Sequence, residues 1–326
     1  MNLSKDIFNI STEQEFNRLA LKMFGFQYQK NLVYQTFCNL LKKNPSVVTS
    51  IEKIPFLPIE FFKTQEVICG KNNVDEVFLS SGTTGQNQSK HFVKDITIYI
   101  ESFIKGFEQF YGKITDYCFL ALLPSYMERE GSSLIYMTEY LVKHSNHSLS
   151  GFYLNNYAAL IETIKKLKQQ KQKTILIGVS FALLDLAEQH QLDLSDIIIM
   201  ETGGMKGRRK EMTRTELHSI YKECFNVKEI HSEYGMTELL SQAYSKGNGI
   251  FKTPNWMKIL IREPNDPFNL LNPNKTGGIN VIDLANYNSC SFIATQDLGK
   301  TFVDNSFEVL GRFDNTDLRG CNLLIQ

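Results

Sequence analysis

The sequence has no excess charge of either sign, no long apolar run and no paired cysteine motif. Lysine and arginine together number 35, as do aspartate and glutamate, so no overall field favours a nucleic acid or an anionic membrane as partner. The longest apolar stretch, at 175–187, is too short to span a bilayer and is broken by Gly178, Ser180 and Asp185. We therefore expect a soluble chain with no membrane span and no nucleic-acid partner.

The N-terminal residues and the cysteines indicate an intracellular setting. The first eleven residues, MNLSKDIFNIS, lack the apolar core of a secretion signal. The six cysteines form no C-x-x-C pair and accompany no paired histidines, so the sequence indicates neither a zinc site nor a disulfide framework. These features predict a cytoplasmic protein in which any functional cysteine acts alone.

Two helices and an extended segment are predicted for residues 1–70, the first of three expected regions. Apolar residues recur at helical spacing over 11–24 and 32–41, and either Ser11 with Gln14 or Thr12 with Glu15 provides a capping box for the first helix. The aligned apolar residues of the second helix are Val33, Phe37, Leu40 and Leu41. Two prolines exclude a helix interior from 54–63, IPFLPIEFFK, which we expect to run extended along the next region.

Residues 71–250 alternate between strand-like and helix-like segments. The strand candidates are 76–80, 117–123, 150–154, 174–179, 197–201 and 229–233. Such alternation predicts an α/β core with a mostly parallel sheet and helices on both faces. Over 251–326 the pattern changes to short strands separated by turns, at 256–261, 278–284, 291–295 and 307–310. This change predicts a smaller antiparallel β subdomain followed by a tail.

Polar or glycine-rich loops follow four of the predicted parallel strands. They are SSGTTG at 80–85, GVS at 178–180, ETGGMKGR at 201–208 and YGMTE at 234–238. Because ligands of such sheets bind at the carboxyl ends of the strands, these loops are expected to share one site.

The loop SSGTTG has the composition of a phosphate-binding loop. Ser80, Ser81, Thr83 and Thr84 supply hydroxyl groups, and Gly82 and Gly85 permit close approach of the backbone to an anion. It differs from the loop of P-loop NTPases, in which Lys and Ser/Thr follow the second glycine, because here Gln86 and Asn87 do. A plain polar turn between a strand and a helix is the alternative.

The ordered motifs resemble the adenylate-forming ligase superfamily. They are SSGTTG, the GG of ETGGMKGR, YGMTE, the Asp of ATQDLG and GRFD. A closer resemblance, to the LuxE-type acyl-protein synthetases of bacterial bioluminescence, is carried by IPFLPIEFFK, LLPSYMERE, ETGGMKGR and GRFDNTDLRGC, and covers the chain from Ile54 onwards. It implies the fold of the N-terminal domain of adenylate-forming enzymes. It also implies that ATP activates a carboxylic acid, expected to be a fatty acid, as an acyl-adenylate with release of pyrophosphate, before the acyl group passes to a thiol.

The resemblance further implies roles for individual residues. Ser80 to Gly85 would hold the β- and γ-phosphates of ATP, and Lys90, two positions later than the usual lysine, would add a charge. Thr237 would contact the α-phosphate, and Glu238 would hold Mg²⁺. The residues implied for adenine, ribose and the adjoining phosphate are Gly203, Gly204, Tyr234, Gly235, Asp297 and Arg312. For Glu238 a helix N-terminal carboxylate, and for Asp297 a turn residue, is the structural alternative.

The end of the sequence departs from the wider superfamily. A short stretch follows Asp314 and the last lysine is Lys300, so the resemblance supplies no counterpart of the lysine on the mobile C-terminal domain of those ligases. The candidate replacements are Lys206, Arg208 and Arg319, or a partner protein. Cys321 matches the near-terminal cysteine that accepts the acyl group in the bioluminescence family before a reductase receives it. A packed apolar role is the alternative for this cysteine.

Two other functions stay open at this point. An acyl- or aryl-ligase acting on coenzyme A or a carrier protein would require an added thiol, whereas a degenerate nucleotide-binding scaffold for a reductase would bind ATP without turnover. The candidate acyl-pocket residues are small or apolar, which suits a fatty or aromatic acid. They are Tyr126, Met127, Ser180, Phe181, Met236 and Leu239, with His231 as a further candidate.

Overall fold

The computed structural model describes residues 6–70, 73–81, 88–124, 130–203 and 212–313. Its strands are β1 Leu57–Pro58, β2 Glu76–Leu79, β3 Lys90–Val93, β4 Cys118–Leu122, β5 Gly151–Phe152, β6 Thr174–Val179, β7 Ile197–Thr202, β8 His231–Tyr234, β9 Ala243–Ser245, β10 Ile250–Lys252, β11 Met257–Arg262, β12 Gly277–Asp283, β13 Phe292–Thr301 and β14 Phe307–Arg312. Its helices are α1 Glu13–Lys30, α2 Leu32–Leu40, α3 Phe61–Thr64, α4 Ile96–Tyr111, α5 Ser133–His144, α6 Tyr157–Gln169, α7 Ser180–Gln189 and α8 Arg214–Phe225.

One long mixed sheet organises these elements. Its strand order is β11-β12-β13-β14-β10-β9-β8-β7-β6-β4-β5, and β1 pairs with β13. The pairs from β5 to β8 are parallel, and those from β8 to β11 are antiparallel. The central strands β4 and β6 are buried along their whole length, as expected for strands covered on both faces. The predicted α/β class with an antiparallel region is confirmed, and the antiparallel strands continue the main sheet.

The segment predicted as the first parallel strand lies outside this sheet. Strand β2 pairs antiparallel with β3, with Leu79 opposite Lys90, so SSGTTG connects the two strands of a hairpin. The sequence predicted that a helix would follow this strand directly. Instead a second strand, β3, with alternating exposed and buried residues, precedes α4. Ser80 and Ser89 thus lie next to the paired ends of β2 and β3.

The N-terminal region contains both predicted helices, but the buried face of the second helix was predicted incorrectly. Helix α1 begins with the capping box of Thr12 and Glu15, the second of the two predicted pairs. On α2 the buried residues are Tyr34 and Cys38, whereas Leu40 is 79% exposed. The apolar spacing alone did not distinguish these faces, because tyrosine and cysteine also bury well. No helix among the described residues is long and apolar enough to cross a membrane.

Candidate nucleotide site

Tyr234, Asp297 and Arg312 meet at the end of β8. The Tyr234 hydroxyl donates to Asp297 Oδ2 at 2.8 Å, and Arg312 Nε lies 3.4 Å from Asp297 Oδ1. Arg312 stands directly opposite Asp297 in the register of β13 and β14. Burial, together with the neighbouring charge of Asp297, raises the pKa of Tyr234 well above its usual value, so the phenol remains a donor. Asp297 itself is buried, and the side chain of Arg312 is 80% exposed.

Glycines shape the backbone at the ends of β7 and β8. Thr202 donates to Glu233 Oε2 at 2.5 Å, which joins the two strand ends side by side. A Cβ at Gly235 would lie 2.4 Å from Glu233 Oε1, so any larger residue would displace this carboxylate. Gly203 has a φ of +70°, a conformation that glycine adopts without strain. Close packing therefore accounts for the glycine at 235, and backbone conformation accounts for the glycine at 203.

The carboxylate of Glu238 connects YGMTE with the stem of the SSGTTG loop. Glu238 is 6% exposed, and burial raises its pKa, while a hydrogen bond from Ser89 and the positive charges of Arg312 and Lys63 oppose that rise. Ser89 N donates to Ser80 Oγ at 2.9 Å, and Ser80 N donates to Ser89 O at 3.1 Å. The stem of the loop is consequently closed at Ser80 and Ser89, beside Glu238.

His91 forms a second link between the hairpin and YGMTE. Its Nδ1 lies 2.8 Å from the carbonyl oxygen of Thr237, which can only accept, so Nδ1 carries the proton. The ring is 1% exposed, and burial lowers its pKa to about 4. Its Nε2 is buried with no hydrogen-bond partner among the described residues. The neutral imidazole thus fixes the backbone one residue before Glu238.

Asp283, which sequence reasoning missed, fixes the backbone that follows Glu238. Its carboxylate accepts from the backbone nitrogens of Leu240 and Ser241 at 2.8 and 2.9 Å, from Ser241 Oγ at 2.6 Å, and from Ala285 N at 3.1 Å. Burial raises its pKa to about 6 despite these donors. The signal available in the sequence was one acidic residue at the end of the apolar run GINVID. An isolated charge after such a run is a candidate for a buried, hydrogen-bonded role.

A buried polar cluster joins the first residue of α7, which follows β6, to strand β7 and helix α8. Ser180 Oγ donates to Glu201 Oε1 at 2.6 Å, and His218 Nε2 lies 2.8 Å from Glu201 Oε2. Tyr221 Oη donates to the carbonyl oxygen of Ser180 at 2.7 Å. All of these side chains are buried, so Ser180 is a structural link between the strand ends. Glu201 was missed as a buried carboxylate because it stands next to the polar, glycine-rich residues of ETGGMKGR, where an exposed loop is the usual expectation.

The other predicted residues occupy a range of environments. Ser81 and Lys90 are exposed, and Lys90 lies on the opposite face of β3 from Ser89 and His91 because side chains alternate along a strand. The His231 ring faces Tyr111, with Nδ1 3.1 Å from Tyr111 Oη. Phe181 and Leu239 are buried, and Met236 is half-buried. The predicted residues outside the described ranges are Gly82, Thr83, Thr84, Gly85, Tyr126, Met127, Gly204, Lys206, Arg208, Arg319 and Cys321.

Solved structures with a similar fold are adenylate-forming ligases. A 2-hydroxyisobutyryl-CoA ligase in complex with 2-HIB-AMP and CoA matches with a TM-score of 0.66 at 12% identity, over 94% of this chain and 70% of that chain. ATP-bound MatB from Rhodopseudomonas palustris matches with a TM-score of 0.53 at 14% identity, over 74% of this chain and 49% of that chain. This chain therefore spans about half the length of the MatB structures. At these identities the likeness establishes the fold.

The family comparison covers the entire sequence. No curated protein matches the chain significantly in sequence. The family model described as acyl-protein synthetase, LuxE, matches residues 1–326. The sequence motifs, the contacts that join them and the ligase fold agree with this match, and the chain belongs to the LuxE acyl-protein synthetase family.

Proposed function

We propose that this chain uses ATP to activate a carboxylic acid as an acyl-adenylate and then transfers the acyl group to a thiol. The observation that carries the proposal is the joining of separate motifs by direct contacts: Tyr234 with Asp297, and His91 with the carbonyl of Thr237. Family membership and the ATP-bound ligases of similar fold support it. A cytoplasmic location belongs to the same proposal.

The chemistry needs positioning and charge stabilisation more than acid–base catalysis. A carboxylate oxygen of the acid attacks the α-phosphorus, a new P–O bond forms, and the bond from the α-phosphorus to the bridging oxygen breaks. Pyrophosphate leaves with that electron pair, so no proton has to be transferred. Donors and cations that face the α-phosphate lower the barrier because they match the charge that accumulates there. Thr237 is proposed to contact that phosphate, and Ser80 to Gly85 to hold the two others.

The nucleoside part of ATP is proposed to bind beside Tyr234. Asp297 would accept from the ribose hydroxyls, since a carboxylate has acceptor sites beyond the single bond from Tyr234. Arg312, exposed next to it, would reach the ribose or a phosphate. Gly203, Gly204 and Gly235 would leave room for a flat base against the backbone.

Glu238 fits the requirements of a Mg²⁺ ligand. Among the described residues no cluster of three or more His, Cys, Asp or Glu side chains is placed to hold a metal. A single carboxylate combined with substrate phosphates is a normal Mg²⁺ arrangement, and a buried carboxylate with a raised pKa gains from a nearby cation. The ion would supply charge neutralisation for the phosphates. In this arrangement Ser89 orients the carboxylate.

The acceptor thiol is proposed to be Cys321, and the acid to be a fatty acid. Both proposals rest on the family, in which the acyl group passes on to a reductase or carrier. The alternative acceptor is coenzyme A, which is present in the 2-hydroxyisobutyryl-CoA ligase structure. Lys206 is proposed as an additional catalytic cation, and Lys90 as a further phosphate contact.

The test combines pyrophosphate release with intact-mass detection of an acyl adduct. Fatty and aromatic acids of increasing length are supplied with MgATP, with and without coenzyme A, to the wild-type chain and to Cys321→Ala. We expect acid-dependent release together with a hydroxylamine-sensitive adduct that the variant loses.

Each outcome has a distinct meaning. Release that depends on coenzyme A, without an adduct, would move the acceptor to coenzyme A. An adduct that persists in Cys321→Ala would overturn the assignment of this cysteine. Binding of ATP without release for any acid would replace the ligase proposal with that of a nucleotide-binding scaffold.

A further inference from the structure

Gln242 is a buried polar residue to which the chemistry above gives no role. Its side chain is 6% exposed, and its Oε1 has no hydrogen-bond partner among the described residues. A buried amide oxygen without a donor is destabilising, and most such groups in folded proteins have a partner. A ligand that donates a hydrogen bond would supply one.

The strand pair β8–β9 fixes the position of Gln242. Because Tyr234 pairs with Ala243, Gln242 comes next to Gly235 across the pair. A Cβ at Gly235 would lie 3.3 Å from Gln242 Cγ and 2.4 Å from Glu233 Oε1. The amide and the carboxylate therefore lie against one glycine and form the Glu233–Gln242 cluster. Gly235 is exposed, so a ligand can reach this cluster from the side of the glycine.

The Glu233–Gln242 cluster lies on the face of β8 opposite to the proposed nucleoside site. Side chains alternate along a strand, so His231 and Glu233 share one face of β8, whereas Tyr234 lies on the other face with Asp297. Helix α4 covers the first of these faces, since Tyr111 Oη lies 3.1 Å from His231 Nδ1. The cluster is thus on the side of β8 that faces α4.

The Glu233–Gln242 cluster is also close to the atoms that would react. Gly235 stands two residues before Thr237, the proposed contact of the α-phosphate, and two residues of extended chain span about 7 Å. The nucleoside is proposed to occupy the face of Tyr234, which leaves the face towards α4 for the acid. An acid whose carboxylate meets the α-phosphate from that side would have its first carbons beside the cluster.

We propose that the Glu233–Gln242 cluster selects acids that carry a hydrogen-bond donor, a hydroxyl or amino group, within a few bonds of the carboxyl group. This inference rests on the function proposed above and narrows its substrate class. Gln242 Oε1 accepts from the donor, and the neighbouring carboxylate of Glu233 attracts the positive end of the same group. A site with such an acceptor discriminates against an acid without the donor, because the acceptor is then left unpaired.

The test measures acid-dependent pyrophosphate release with MgATP for matched pairs of acids. Hexanoic, hexadecanoic and benzoic acid are each compared with hydroxy and amino derivatives substituted close to the carboxyl group. We expect kcat/KM to be about tenfold or more higher for a derivative than for its parent acid. The better of the two derivatives shows whether the donor is a hydroxyl or an amino group.

Gln242→Met keeps the length of the side chain and removes the amide. This variant should lose the preference for the derivative, while the KM for ATP stays the same. The matched control is Gln169→Met, on an exposed glutamine of α6, which should retain the preference. Equal rates for parent and derivative in the wild type, or a preference that persists in Gln242→Met, would overturn the role of the cluster.

Binding measurements separate failure of this inference from failure of the proposed function. If no acid supports pyrophosphate release, the ligase proposal fails, and calorimetry with the same acids then tests the cluster on its own. The derivative should bind about tenfold or more tightly than the parent acid to the wild type, and equally to Gln242→Met. Equal affinities for the wild type, or no binding of either acid, would overturn the inference.

Urea unfolding distinguishes a binding role of Gln242 from a structural one. Gln242→Met should be at least as stable as the wild type without ligand, because it removes a buried acceptor that has no donor. A lower urea midpoint in the variant would indicate that the amide supports the fold, and would count against the inference.

Discussion

The orientation of Asp297 depends on a single phenol. Tyr234 reaches the buried carboxylate from another strand, and its raised pKa keeps it a hydrogen-bond donor. On the opposite side Arg312, whose Nε lies 3.4 Å from the carboxylate, is largely exposed. Tyr234 is therefore the buried hydrogen-bond partner that orients the Asp297 carboxylate.

Tyr234→Phe should raise the KM for ATP about tenfold or more. A hydrogen bond to a charged group contributes about 1.5 to 3 kcal/mol, and its loss leaves Asp297 free to turn away from a ribose. The matched control is Tyr34→Phe, which removes an equally buried bond to the carbonyl of Pro55. Both variants should be less stable in urea unfolding. Equal ATP kinetics in Tyr234→Phe and Tyr34→Phe would contradict the orienting role.

Gly235→Ala should destabilise the fold by about 1 to 3 kcal/mol, the usual cost of overpacking. The added methyl group would lie 2.4 Å from Glu233 Oε1 and would push this carboxylate away from Thr202. The control is Gly25→Ala inside α1, where a Cβ meets nothing within 4 Å. That change should stabilise the protein by about 0.5 to 1 kcal/mol. Denaturant midpoints that shift in the same direction for both variants would refute the steric account.

At the scale of elements, the loop YGMTE is held from three directions. The β2–β3 hairpin contributes Ser89 and His91, the end of β12 contributes Asp283, and Asn286 Nδ2 donates to the carbonyl oxygen of Glu238 at 2.7 Å. His91 and Asn286 bond the loop backbone, Ser89 acts on the Glu238 carboxylate, and Asp283 holds the backbone of Leu240 and Ser241 just after the loop. The loop therefore has little freedom to adjust when one of these elements moves.

His91→Asn should flatten the pH dependence of stability between about pH 6.5 and 4. In the folded chain burial lowers the pKa of His91 from 6.5 to about 4, so between these values the unfolded chain binds the extra proton. The contribution of His91 to the free energy of unfolding is therefore fully present above pH 6.5. It decreases by about 3 kcal/mol as the pH falls to about 4. Asparagine keeps an N–H for the Thr237 carbonyl but does not titrate. Urea unfolding at pH 7 and pH 4.5 measures the slope, and an equally steep slope in the variant would count against the assignment.

The elements with strong periodicity were predictable, and the contacts between motifs were not. Buried strands such as Thr174–Val179 and the capping box of Thr12 follow from local pattern, and both are present. The hairpin partner of 76–80 was missed because the short strand Lys90–Val93 carries two polar residues and no strong alternation of apolar ones. Asp283 was missed because most of its partners, on Leu240 and Ser241, lie more than 40 positions away, which no local pattern records. Long-range pairing of this kind depends on tertiary structure.

At the scale of the whole molecule, the first helix is tied to the distal part of the sheet. Gln27, which is fully buried, donates to the carbonyl oxygens of Asn286 and Tyr287 and to Ser291 Oγ, and accepts from Ser291 N. We propose on this basis that residues 1–70 are an integral layer on 71–250 and 251–326. Asn286 also holds Glu238, so the helix and the site share a partner.

Gln27→Ala should lower the free energy of unfolding by about 3 kcal/mol, because it leaves several buried polar groups without partners. The control is Gln14→Ala on the exposed face of the same helix, which should change stability by less than about 0.5 kcal/mol. Calorimetric unfolding also reports whether the chain melts in one transition. A separate early transition in Gln27→Ala would be at odds with an integral N-terminal layer.

The sheet order has a consequence for the shape of the molecule. Between β8, with Tyr234, and β13, with Asp297, lie β9, β10 and β14, so four strand spacings of about 4.8 Å would separate the two residues by roughly 19 Å in a flat sheet. Their side chains nevertheless touch. The sheet must curl back on itself, and the rings of Tyr234, Phe251 and Phe307 pack inside the bend. The curvature of the sheet therefore keeps Tyr234 in contact with Asp297, the residue proposed to bind the ribose. A change that flattens β9 or β10 would separate the two side chains without altering either residue.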